Sequence, residues 1–112
     1  MMVPLSAGRV VLDGSGNGEL VLDQVPPFKT WTITRVSLTI EGGQAANLGG
    51  EARLYKGEAI PANYIDGTAT PWLDVYSLPI ELVPPEYLRI VFTGCGAGRV
   101  ATVTIQGEQN LA

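Results

Sequence analysis

The chain has 112 residues and a formal net charge of −4, with no histidine and one cysteine, Cys95. A chain of that length forms one domain that buries about two-thirds of its unfolded surface without a metal or disulfide staple. Its seven basic residues are scattered singly, so no cationic stripe exists to displace counterions from a nucleic-acid backbone, and the commonest general base and metal ligand is missing altogether.

One cysteine cannot build a disulfide framework. The longest apolar runs fall short of the roughly 20 residues that cross a bilayer, and Met-Met-Val-Pro-Leu at the start lacks the charged and apolar regions of a signal peptide, so the expectation is use without a coded export step. Fourteen glycines and eight prolines, with 16% charged residues, suit many short strands joined by tight turns.

In chain order, residues 1–8 read as an N-terminal arm, because Pro4 keeps them from starting a regular central strand. The arm is either a frayed terminus or, given apolar Met1, Met2, Val3 and Leu5, a segment packed on a neighbouring subunit. Short strands are expected at 9–12 and 19–22, around a hairpin loop Asp13-Gly-Ser-Gly-Asn-Gly whose glycines supply positive φ. The loop also places oxygen-bearing Asp13, Ser15 and Asn17 at alternate positions, like the opening of a calcium loop. Gln24 stands where the bidentate carboxylate belongs, and strands flank the loop, which favours a plain turn.

Val25-Pro26-Pro27 marks a corner, and the same tripeptide recurs as Val83-Pro84-Pro85. After the first corner, residues 28–41 form the strongest β pattern in the chain, rich in Val, Ile, Thr and Trp. Its period of two slips near Thr34 and Arg35: Trp31 and Ile33 share one face, Val36, Leu38 and Ile40 the other. A β-bulge, a strand crossing between two sheets, or a strand covered on both faces at different heights accounts for the slip.

A glycine-rich loop is expected at 42–50, without the lysine or spacing of a phosphate cradle, and a strand at 52–56 with Leu54 on one face and Arg53 and Tyr55 on the other. Periodicity fails over 57–71, where Pro61 and Gly67 bound a possible helical turn. This irregular segment is the first candidate for a partner surface. Trp72, Leu73, Val75 and Tyr76 resume strand character, and Pro79 confines 80–83 to an edge or corner. Residues 87–93 alternate cleanly, Gly94-Cys-Gly-Ala-Gly98 reverses the chain, and 100–106 returns as a terminal hairpin with Ala101, Val103 and Ile105 inward. Cys95 is expected to be exposed in that loop and inert, and 107–112 to form a polar tail.

The fold class expected is all-β: a single antiparallel β-sandwich over residues 1–112, jelly-roll or Greek-key like, of about eight short strands. No nucleophile stands beside a base, and Glu58, Asp66, Asp74 and Glu81 read as solvated carboxylates before a hydrolytic pair, so neither enzyme activity nor a cofactor is expected. The partner-binding candidates are Met2, Val3, Leu5, Tyr64, Ile65 and Trp72. If two or more of Tyr55, Tyr64, Trp72, Tyr76 and Tyr87 are exposed and nearly coplanar, a carbohydrate-stacking platform is the alternative.

Taken in order, Asp13-Gly-Ser-Gly-Asn-Gly, Val25-Pro26-Pro27, Trp31-Thr-Ile-Thr-Arg-Val, Ala52-Arg-Leu-Tyr, Tyr64-Ile-Asp-Gly and the glycine-rich reversal resemble small virion proteins of tailed bacteriophages of actinobacteria. The resemblance spans about residues 10–106 and lacks the repeats and coiled coils of phage fibres. It implies an accessory tail or capsid-decoration protein that contacts other virion proteins, as a homo-oligomer or repeated array, located in the virion and assembled in the host cytoplasm. It carries over no catalytic residues.

Overall fold

The computed structural model describes residues 3–40, 50–68 and 79–111. Eight strands appear in them: β1 (Val3–Val11), β2 (Gly18–Val21), β3 (Lys29–Ile40), β4 (Glu51–Lys56), β5 (Tyr64–Thr68), β6 (Ile80–Leu82), β7 (Leu88–Thr93) and β8 (Val100–Leu111). They form two antiparallel four-stranded sheets, sheet 1 in the order β1-β8-β3-β6 and sheet 2 in the order β2-β7-β4-β5. Every consecutive pair except β4 and β5 lies in opposite sheets, which is a jelly roll. β1 packs beside β2, closing one flank and leaving β5 and β6 on the other.

The inward side chains explain the layering. Trp31, Ile33, Val36, Leu38 and Ile40 of β3 are buried with Ala101, Val103 and Ile105 of β8, against Leu54, Leu88, Ile90 and Phe92 of sheet 2. At about 1.5–3 kcal/mol per large apolar side chain removed from water, this core dominates the folding free energy.

The phase slip in β3 is a bulge, not a crossing. Pairing with β8 runs Trp31↔Gln109 and Ile33↔Gly107, then Arg35↔Gln106 and Val36↔Ile105, so Thr34 is the extra residue. Thr34 and Arg35 are both exposed, and the buried residues before and after them face the same core. A second bulge faces it across β8, where Pro4 pairs with Gln106 and Ser6 with Ile105, leaving Leu5 over. Gly107 allows this close approach: a Cβ there would overlap the Thr32 carbonyl oxygen and lie 2.9 Å from Ile33 Cα.

Several expectations change. The 13–18 loop does not join a hairpin, because β1 and β2 pair with β8 and β7 in different sheets. The 94–99 segment likewise links β7 in sheet 2 to β8 in sheet 1. Both are arches over one end of the sandwich and are laced together: Cys95 N–H donates to Gly16 O (2.9 Å), Gly98 N–H to Asp13 O (3.1 Å) and Gly94 N–H to Asn17 Oδ1 (2.9 Å). Gly16, at φ +76°, leaves room where a Cβ would meet the Gly96 nitrogen.

The arch buries Cys95, contrary to the exposed position expected; its Sγ lies 3.3 Å from Glu51 O, and burial pushes the thiol pKa up. Residues 3–8, expected as an arm, are the first part of β1, and 107–111, expected as a tail, complete β8 opposite β3. An edge position tolerates Pro4, which a central strand would not. The helical turn is a single 3-10 turn, Pro61–Asn63, and Gly67 sits inside β5 rather than ending a helix. Residues 42–49 and Trp72, Leu73, Val75 and Tyr76 lie outside the described residues.

Candidate functional site

Two surface features stand out at the end of the sandwich opposite the arches. The first is a cleft of about 400 Å³ on the outer face of sheet 2, lined by Arg53, Tyr55, Pro61 and Tyr64. β4 sets its floor. Leu54 pairs with Ile90 in the core, so Arg53 and Tyr55 on either side project outward. A register shift between Leu54 and Tyr55 in the β4–β5 pairing then brings Tyr64 opposite Tyr55, with ring centroids 5.8 Å apart and planes at 69°. The 3-10 turn folds Pro61 over them, so that Tyr55 is only 8% exposed whereas Tyr64 keeps 48%.

Polar contacts flank this cleft. A hydrogen bond with Tyr55 and the nearby Glu51 carboxylate (Oε1 at 2.9 Å from Arg53 Nε) favour the charged guanidinium of Arg53 and raise its pKa. An adjoining hollow is lined by Lys56, Gly57, Asn63, Glu86 and Tyr87. There the Arg89 guanidinium stacks over the Tyr87 ring, donates to Gly57 O (3.1 Å) and pairs with Glu19.

The second feature is the corner that opens β3. Lys29 N–H donates to Pro26 O (3.2 Å), and Phe28 has φ +65°. Proline fixes Pro27 near φ −65°, so residues 26–29 make a type II turn with Phe28 at the position that glycine normally fills. A non-glycine residue there costs about 1–2 kcal/mol. The ring recovers nothing from the core, since it is 81% exposed. Leu111, opposite Lys29 in the ladder, is 79% exposed, and Val83, next to Leu82 opposite Trp31, is 50% exposed. Both proline corners meet here through Val25 N–H donating to Glu86 O (2.9 Å). Glu86 in turn accepts from Val83 N–H at Oε1 (2.7 Å) and pairs with Lys56 (2.9 Å). Burial alone would raise the Glu86 pKa; the Val83 and Lys56 contacts outweigh it and hold the carboxyl below its ordinary value.

Of the residues picked from sequence, Tyr64 lines the cleft and Ile65 packs half-buried against the core. Val3 (37% exposed) and Leu5 lie on β1, at the flank opposite β5, so they are not part of the same surface. Met2 and Trp72 lie outside the described residues. Sequence reasoning missed Phe28, which it assigned to the long strand. The signal was present in Pro26-Pro27-Phe28, a double proline before a residue that must turn the chain. Asp13 keeps to the plain turn: its Oδ1 accepts from Ser15 N–H (2.8 Å) and Asn17 N–H (2.9 Å), which lowers its pKa. Among the described residues no group of three or more Cys, Asp or Glu is placed to hold a metal ion.

No protein-family model matches the chain, and no curated protein matches it in sequence. Among solved structures, it is similar to a chain of Cowpea mosaic virus top component, naturally occurring empty particles, with a TM-score of 0.56 and 12% identity over 100% of this chain and 86% of that one. A second solved structure, of FLHE, is similar at a TM-score of 0.44 and 17% identity over 96% of this chain and 97% of that one. At 12% identity, the likeness to the virus-particle chain is a likeness of fold.

Proposed function

We propose that this chain is a non-enzymatic structural protein of a virus particle, an accessory tail or capsid-decoration component of a tailed phage that acts through protein–protein contacts. The observation that carries the reading is the eight-stranded jelly roll, alike in fold along its whole length to a chain of virus empty particles. Its exterior supports it: Phe28, Leu111 and Val83 leave large apolar side chains exposed together at one corner, where they suit docking. The carbohydrate alternative has less support, because Tyr55 is buried and stands edge-on to Tyr64, whereas stacking on a sugar ring needs a flat, open platform.

Mass spectrometry of particles purified by density gradient from the phage that encodes the chain tests the reading, with cryo-electron microscopy to place the jelly-roll density. The expected result is the chain at constant stoichiometry in intact particles. Its recovery only in the soluble lysate, with none in particles, refutes the proposal.

A further inference from the structure

We infer that the Pro26-Pro27-Phe28 corner of one copy docks into the Arg53–Tyr55–Pro61–Tyr64 cleft of a second copy, so that the chain associates with itself head to tail. The argument starts from a local conflict. Phe28 occupies a left-handed turn position at φ +65°, where glycine is unstrained, yet its ring is 81% exposed and gains no packing within its own chain. Strain retained without an internal return marks a residue kept for an external contact. The two prolines and the turn hydrogen bond fix the backbone that presents the ring, so little backbone entropy is lost on docking.

The same chain carries a receptor of matching chemistry. Arg53, Tyr55, Pro61 and Tyr64 line a cleft of about 400 Å³, in which Tyr64 and Pro61 offer exposed surface to a proline or aromatic side chain. Lys29 follows Phe28; exposed Glu58 precedes the turn that carries Pro61, and the cleft's own Arg53 is already paired with Glu51, so the charge left beside the cleft is opposite to that beside the ring. The corner opens sheet 1 and the cleft is on the outer face of sheet 2, so no copy fills its own cleft. Knob and socket are different patches, so the contact is heterologous and repeats from copy to copy. A Phe ring, two prolines and a shallow cleft bury far less than the roughly 1,200 Å² of a stable interface, which makes each contact weak alone and effective in a repeated assembly. The inference does not rest on the particle reading, since self-association is measured on the purified chain.

Sedimentation velocity of wild type should show reversible, concentration-dependent association. Phe28→Gly should weaken it at least about tenfold while leaving the melting temperature unchanged or higher, because it removes strain and no core contact. Tyr64→Ser, with Pro61→Lys as a second cleft variant that spares the strand and sets a like charge against Lys29, should weaken association to a similar degree. A mixture of Phe28→Gly with either cleft variant should then form a dimer that grows no further, each dimer joining the one intact knob to the one intact socket. Monomeric wild type at millimolar concentration, Phe28→Gly that associates like wild type, or a mixture that stays monomeric overturns the inference.

Discussion

Deleting Thr34 is predicted to be tolerated, whereas deleting Ser37 from the same strand is not. Thr34 is exposed and is the extra residue between the pairs Ile33↔Gly107 and Arg35↔Gln106. Without it, β3 reads Trp-Thr-Ile-Arg-Val-Ser-Leu-Thr-Ile, a regular alternation that keeps Trp31, Ile33, Val36, Leu38 and Ile40 inward and every other rung of the ladder in register. The loss is limited to local bend, about 1 kcal/mol. Ser37 lies in the regular half of the strand, and its removal leaves two outcomes. Either Leu38 and Ile40, buried at 2% and 4% exposure, turn to solvent, or the bulge is lost to compensate, and Arg35 is buried while Val36 is expelled. The first outcome costs about 3–6 kcal/mol by apolar burial, and the second places an unpaired guanidinium in the core. Either is comparable with the 5–15 kcal/mol total stability of an ordinary domain. Urea titration followed by the fluorescence of buried Trp31 measures both. A midpoint for the Thr34 deletion as low as that for the Ser37 deletion would show that the bulge is not a removable insertion.

Gly107→Ala should lower the melting temperature by roughly 4–12 °C, since the overlapping atoms are backbone and cannot move aside cheaply, whereas Gly14→Ala, with nothing within 4 Å, should shift it by about a degree or less by calorimetry. Glu86→Gln should destabilise near neutral pH, with a gap from wild type that closes on acidification. The folded carboxyl is held below its ordinary 4.5, so its contribution is present above that value and is lost as pH falls through the lower folded value; urea midpoints at about pH 7 and about pH 3 check this. Cys95 should resist thiol alkylation in the native protein and react on unfolding, because burial raises its pKa and blocks access; rapid native labelling would contradict the buried arch.

How far the fold was legible depends on what a side-chain pattern encodes. Alternation at Leu88, Ile90 and Phe92, and at Ala101, Val103 and Ile105, identifies strands and their inward faces, and the structure buries all six at 0–1% exposure. The slip at Thr34 was equally visible, because a change of phase moves every later residue. Pairing was not visible. A glycine-rich reversal between two inward-facing strands looks the same whether it makes a hairpin within one sheet or an arch between two, so the sequence reads 13–18 and 94–98 as hairpins, although both pass between the sheets. The aromatic cleft is half legible: Tyr64 stands out in an irregular stretch, but its partnership with Tyr55 depends on a bulge in the β4–β5 ladder that Leu54-Tyr55 alone does not announce.

Agreement between local preference and global fold also decides which residues need a further explanation. At Gly16 and Gly107 the sequence supplies the residue that the backbone demands, and at Thr34 it leaves the surplus residue in solvent. Consistency of this kind across levels is what makes a sequence specify one structure. Phe28 breaks it: the turn calls for glycine, the core is already complete without the ring, and the neighbouring exposed apolar residues, Leu111 and Val83, extend the mismatch into a patch. A substitution that relieved the strain would improve the isolated domain, so stability alone cannot account for phenylalanine at this position. A contact outside the domain can, because the same features that make Phe28 unfavourable for folding, a fixed turn and a ring held clear of the core, make it suited to insertion into another surface.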